Sequence, residues 1–139
     1  MIDLMPDLWP KDLVVKRVLT PVAILQSQCE KLHQKTSGQL EAEPNTYHQG
    51  ENGENVAHHF EIIAPALSGY RYRLFTVEHA KDQVYPACIT QPNAPTIHAM
   101  DQEKFIEEIA KLLAAPKTRS VLHSLIAQSQ ELQNKLAAS

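Results

Sequence analysis

The chain has 139 residues, of which 43% are hydrophobic and 21% charged, and a formal net charge of −3. That length and apolar content can bury one core without disulfide or metal staples, and they exclude wholesale disorder. The slight acidity, with 13 Lys and Arg dispersed so that the densest pairs are Lys16-Arg17 and Arg71/Arg73, argues against nucleic acid as a partner.

The two cysteines, Cys29 and Cys88, are far apart and form no CxxC pair, so they read as buried thiols acting as small hydrophobes. The opening MIDLMPDLWPKDL has neither the basic nor the apolar stretch of a secretory signal. No apolar run approaches the roughly 20 residues that span a bilayer. The expectation is a cytoplasmic protein without membrane association.

Residues 1–19 contain Pro6 and Pro10, which break any long helix, and read as an irregular arm whose Leu8, Trp9 and Leu13 pack onto the body. Thr20-Pro21 has the form of an N-cap followed by proline at the first helical position. Val22, Leu25, Cys29 and Leu32 then mark one helical face, and Gly38 supplies the stop, giving a helix over Thr20 to Thr36. From Gln39 the period changes to two. Leu40 and Ala42 alternate with Gln39, Glu41 and Glu43 in a short strand that Pro44 ends or confines to an edge. The segment HQGENGEN, residues 48–55, is a loop.

Val56 to Leu67 reads as a second strand, with Phe60, Ile62 and Ala64 on one side and Ile63 on the other. Pro65 and Ser68-Gly69 turn the chain into Tyr70 to His79, rich in aromatic and β-branched residues. A tight turn at Lys81-Asp82 leads into a fourth strand, Val84 to Thr90. Short connections require antiparallel neighbours, because parallel ones need long crossovers. Residues 91–99 form a Pro-rich connector. Asp101 caps a helix carrying Phe105, Ile106, Ile109, Leu112 and Leu113 on one stripe, which Pro116 ends. A last helix begins near Thr118, with Val121, Leu122, Leu125, Ile126, Leu132 and Leu136 on its face and Ser129 interrupting. Its thinning polar end either caps the core or pairs with a partner helix. The fold class expected is α+β, one domain over residues 1–139: an N-terminal helix, a four-stranded antiparallel β-meander and two C-terminal helices.

Seven histidines (His33, His48, His58, His59, His79, His98 and His123) show none of the zinc-ligand spacings, and His58 and His59 leave opposite faces of a strand. His59 and Glu61 share a face, a two-ligand arrangement at most. Neither a metal nor a cofactor is expected. No GxSxG elbow, GxGxxG or P-loop is present, and Glu41/Glu43 and Glu107/Glu108 read as solvated charge.

The segment that stands out is Tyr70-Arg71-Tyr72-Arg73-Leu74-Phe75. Strict alternation sends Tyr70, Tyr72 and Leu74 to one side, and Arg71, Arg73, Phe75 and Val77 to the other. With helices over the Phe60/Ile62 side, the opposite face carries His59, Glu61, Ile63, Arg71, Arg73, Phe75, Val77 and Tyr85. Arginine with aromatics is the composition of interface hot spots. The simpler reading pairs Arg71 and Arg73 with Glu41, Glu43 or Glu61 across the sheet.

These features lead to a non-enzymatic protein-interaction module of the adaptor, chaperone, antitoxin or immunity type, dimeric, whose partner is another protein or a second copy of itself. The binding residues expected are Arg71, Arg73, Phe75, His59 and Tyr85. The alternative is a small-molecule binder or enzyme with a pocket between sheet and helices, in which Arg71 or Arg73 takes an anion and His58 or His59 moves a proton.

Overall fold

The computed structural model describes residues 4–13 and 18–138, so the Lys16-Arg17 pair lies outside the described residues. Helix α1, Pro21–Lys35, starts where the sequence places it: the Thr20 hydroxyl accepts the Ala23 N–H at 3.2 Å. It ends on Ser37 and Gly38 at positive φ, where the Gly38 N–H returns to the His33 carbonyl at 2.8 Å. Strand β1, Glu41–Gln49, follows and runs straight through Pro44. Proline is tolerated there because β1 is the edge of the sheet and Pro44 needs no outward N–H.

A turn over residues 50–54 leads to β2, Asn55–Ala64, and a 3-10 turn at Pro65–Leu67 leads to β3, Tyr70–Ala80. Then come β4, Gln83–Thr90, and β5, Ile97–Ala99. Helix α2, Gln102–Leu113, is capped by Asp101, whose carboxylate accepts the Lys104 N–H at 2.8 Å. Helix α3, Pro116–Ala138, completes the chain. Pro116 thus opens α3 instead of merely stopping α2. Among the described residues no helix is long and apolar enough to cross a membrane.

The α+β class and the element order agree with the sequence reading, but the antiparallel sheet has five strands in the order β1-β2-β3-β4-β5. The extra strand lies inside the stretch expected as a connector. Three residues are too few to show a periodicity, and β5 exists only through its pairing with β4, Ala87↔Ala99 to Ile89↔Ile97.

All three helices lie on one side of this sheet. Ile24 and Leu25 of α1, Phe105 and Ile109 of α2 and Leu125 of α3 close over Phe60, Ile62, Leu74, Phe75, Val77, Ala87 and Ile89. Burying that many large apolar side chains, each contributing about 1.5–3 kcal/mol, is the dominant stabilising term. Ser129, which interrupts the apolar pattern of α3, is fully buried and gives its hydroxyl to the Leu125 carbonyl at 2.8 Å. Beyond it the helix emerges, with Leu132 and Leu136 exposed.

One irregularity reverses part of the expected face assignment. The β2–β3 register shifts between Phe60 and Glu61: Phe60 pairs with Phe75 but Glu61 pairs with Arg73, so Leu74 is an extra residue in β3. After this bulge, Phe75 and Val77 point to the same side as Leu74, into the helix-covered core. Because Ile89 of β4 pairs with Val77, the bulge also carries Ile89, Ala87 and Tyr85 to the covered side. Phe75, Val77 and Tyr85 are therefore not on the open face. Two further expectations change. Leu8, Trp9 and Leu13 are 80%, 74% and 66% exposed, so the arm does not pack onto its own body. Neither cysteine is fully buried.

Candidate functional site

The face without helices is a set of cross-strand rows, each two residues from the next. Glu41, Ile63 and Arg71 form one row, and Glu43, Glu61 and Arg73 the second. Asn45, His59, Thr76 and Thr90 form the third, and Tyr47, Ala57, Glu78, Cys88 and His98 the fourth. Most of their polar groups bond to one another. Arg71 reaches the Glu43 carboxylate at 2.6 Å and Glu61 at 3.4 Å. The Asn45 amide also donates to Glu61. His59 Nδ1 lies 2.8 Å from the Thr76 hydroxyl, and Tyr47 packs against the His59 ring with centroids 5.0 Å apart. Burial, and then the Arg73 charge beside it, hold His59 below its ordinary pKa.

Cys88 Sγ and His98 Nδ1 are 3.3 Å apart in the fourth row. A thiol nucleophile needs its base oriented by a third group and donors for the developing charge. Among the described residues nothing else holds the His98 ring, so the pair is a cross-strand hydrogen bond without the rest of a catalytic centre. Nor do three His, Cys, Asp or Glu side chains gather as a metal-ion site among the described residues.

On the covered side, a chain of hydrogen bonds crosses the far end of the sheet. The Thr46 hydroxyl is 2.8 Å from His58 Nδ1, His58 Nε2 is 2.9 Å from His79 Nε2, and His79 Nδ1 is 2.8 Å from the Ala80 carbonyl. A carbonyl can only accept, so His79 Nδ1 carries the proton and its Nε2 accepts from His58 Nε2–H. His58 Nδ1 then accepts from Thr46. With both rings neutral, every position is satisfied. His58 is 2% exposed, and burial followed by the neighbouring His79 pushes its pKa down to about 4.

The best-formed concavity is a groove of about 320 Å³ between the helices. The sheet floor supplies Phe60, Ile62 and Leu74, and Leu113 and Leu122 supply one wall with Ala110 and Ala114. The other wall is the outer half of α1, where Leu32 sits between Gln28, Lys31 and Lys35. Lys31 and Lys35 are one helical turn apart, both exposed, and neither enters an ion pair among the described residues. Like charges at that spacing repel by about 0.2–0.5 kcal/mol.

Of the binding residues expected from sequence, the fold brings His59, Arg71 and Arg73 together on the open face. It does not bring Phe75 or Tyr85 there. Phe75 stacks on Phe60 at a centroid distance of 5.1 Å in the core. Tyr85 packs edge-on to Phe105 and donates its hydroxyl to the Leu19 carbonyl at 2.7 Å. Among the described residues the lining of the groove between sheet and helices includes no arginine and no histidine, unlike the pocket formulated from sequence for the small-molecule alternative. Lys31 and Lys35 were missed, although their position flanking Leu32 on the buried stripe of α1 was a readable signal. Compared with protein-family models, with curated proteins and with solved structures, the chain matches none of them.

Proposed function

We propose that this protein is a non-enzymatic interaction module and that it docks its partner in the groove between α1 and the α2–α3 pair. The observation that carries the reading is an apolar trough edged by two lysines that enter no ion pair among the described residues. Apolar side chains of a partner would cover Leu32, Leu113 and Leu122, while its acidic groups would relieve the Lys31/Lys35 repulsion. Of proteins and small molecules, a protein segment with large apolar and acidic residues suits this site best. The trough is open along the helices and is low in the volume range of ligand pockets, near the space taken by one or two large side chains.

The open sheet face is the weaker candidate. Arg71, Glu43, Glu61, Asn45, His59 and Thr76 already bond among themselves. Tyr47 is the large apolar side chain that stands exposed there, and interfaces need more than one such anchor.

The test compares three forms of the tagged full chain as bait for lysate of its own host: wild type, Lys31→Glu/Lys35→Glu and Arg71→Glu. A partner held by the groove is retained by wild type and Arg71→Glu and lost by the lysine double variant. Capture that survives the lysine reversal but fails with Arg71→Glu overturns the reading in favour of the sheet face.

A further inference from the structure

The groove has a counterpart in the same sequence. Seven of the thirteen large apolar side chains that stand exposed among the described residues belong to residues 4–19, including Leu4 at 89%, Leu8 at 80% and Trp9 at 74%. Such a concentration of apolar surface in a short stretch marks a binding element. Its outer part is also acidic: residues 1–13 carry Asp3, Asp7 and Asp12 against Lys11, and the two basic residues Lys16 and Arg17 follow towards the root. The apolar and acidic character of residues 1–13 is therefore complementary to a trough lined by leucines and edged by Lys31 and Lys35.

The segment is shaped in advance. The Asp7 carboxylate accepts the Trp9 N–H at 3.0 Å, and the Leu13 N–H returns to the Pro10 carbonyl at 3.1 Å. With Pro6 and Pro10 fixing their own φ angles, these two local turns present Leu8 and Trp9 outward and lower the ordering cost of docking.

Within one chain residues 4–13 do not line the groove. The root of the arm is fastened at the opposite end of the helices, where the Leu19 N–H donates to Gln102 Oε1 at 2.9 Å and the Leu19 carbonyl accepts from Tyr85. Lys31 and Lys35 lie ten and fourteen residues beyond Pro21 along α1, about 15–21 Å away. From these observations we infer that the arm of one copy docks in the α1/α2–α3 groove of a second copy, with Trp9 as the anchor and Asp7 and Asp12 facing Lys31 and Lys35. A twofold axis makes the exchange reciprocal and closes the assembly as a dimer. This inference rests on the groove being a protein-docking site and names its occupant.

Trp9 is the sole tryptophan of the chain, so its emission reports this contact alone. Light scattering and tryptophan fluorescence are followed together over a dilution series of the full chain. The expected result is a dimer with blue-shifted emission that reverts to a monomer with red-shifted, quencher-accessible emission on dilution. Lys31→Glu/Lys35→Glu, which alters only exposed side chains, should weaken the dimer about tenfold or more. Combining it with Asp7→Lys/Asp12→Lys should restore the dimer. Trp9→Ala should weaken association by about thirtyfold or more, the threshold for a hot-spot residue. A monomer at every concentration overturns the inference, as does a blue-shifted signal that dilution leaves unchanged, or a dimer indifferent to all of these charges. If the arm fails these tests while lysine-dependent capture of another protein persists, the docking groove stands and its occupant is that protein.

Discussion

Lowering the pH from about 7 to about 5 should destabilise this protein through one side chain, His58. The ring is 2% exposed; as a neutral imidazole it satisfies every position of the Thr46–His58–His79–Ala80 chain, and burial followed by the neighbouring His79 opposes its charged form. Its native pKa is pushed down to about 4, whereas the unfolded chain protonates near the ordinary 6.5. The unfolded state therefore binds the extra proton. Stability is complete above about pH 6.5, declines as pH falls towards about 4 and levels off below that. Evaluating both titrations at about pH 7 and about pH 5 gives a loss of about 2 kcal/mol.

Urea unfolding at the two pH values measures this loss. With a slope of about 2 kcal/mol/M, the wild-type midpoint should fall by about 1 M. His58→Gln keeps a donor and an acceptor at the site but cannot titrate. Its own midpoint shift over the same interval should be smaller by most of that 1 M, and subtracting the two removes contributions from His59 and the carboxylates. Equal pH sensitivity in wild type and His58→Gln would refute the argument, as would a long-range proton–nitrogen spectrum in which native His58 is doubly protonated at about pH 6.

Three other substitutions or reactions test the packing. Phe75→Ala should cost about 3–5 kcal/mol in chemical unfolding, since Phe75 is 1% exposed and stacked on Phe60; a loss under about 1 kcal/mol would return it to the open face. Thr118→Val should cost about 1–2 kcal/mol in the same assay, because the hydroxyl bonds the Leu112 carbonyl at 2.8 Å near the end of α2, at a residue 4% exposed. Brief alkylation near pH 8 followed by peptide mass mapping should label Cys88 before Cys29. Burial raises the Cys29 thiol to about 11, and faster labelling of Cys29 would contradict its packing against the core.

The sequence was legible wherever a signal is local. The Thr20 and Asp101 caps, the Gly38 stop, the strands on either side of Ser68-Gly69 and the stripes of α1 and α2 all depend on contacts within a few residues. It failed where the outcome depends on a neighbour. β5 is a strand only through its pairing with β4, and β1 continues past Pro44 because β2 pairs with it to Gln49. The face of Phe75 is decided by the extra Leu74, a register shift that no alternation rule within β3 can reveal. That single residue transferred Phe75, Val77 and Tyr85 from the expected binding surface to the core and left Arg71, Arg73 and His59 behind. The connector assigned to residues 91–99 likewise concealed the meeting of His98 with Cys88, ten positions apart in sequence and opposite each other in the sheet.

This transfer separates the aromatics from the arginines with which the sequence reading grouped them. Arginines beside aromatics describe an interface only when the aromatics are exposed and the arginines unmatched. Here the bulge buries Phe75 and turns the half-buried Tyr85 onto the core, and Arg71 is already matched by Glu43 and Glu61, so a partner gains little at Arg71. The groove and the arm have the opposite balance. Among the described residues Lys31 and Lys35 enter no ion pair, and Leu8, Trp9 and Leu13 expose apolar surface, so the proposed docking would relieve unfavourable terms at both places. Unmet interactions, more than residue types, therefore support the proposed docking, and both sets of them lie on segments that the sequence reading assigned to ordinary packing.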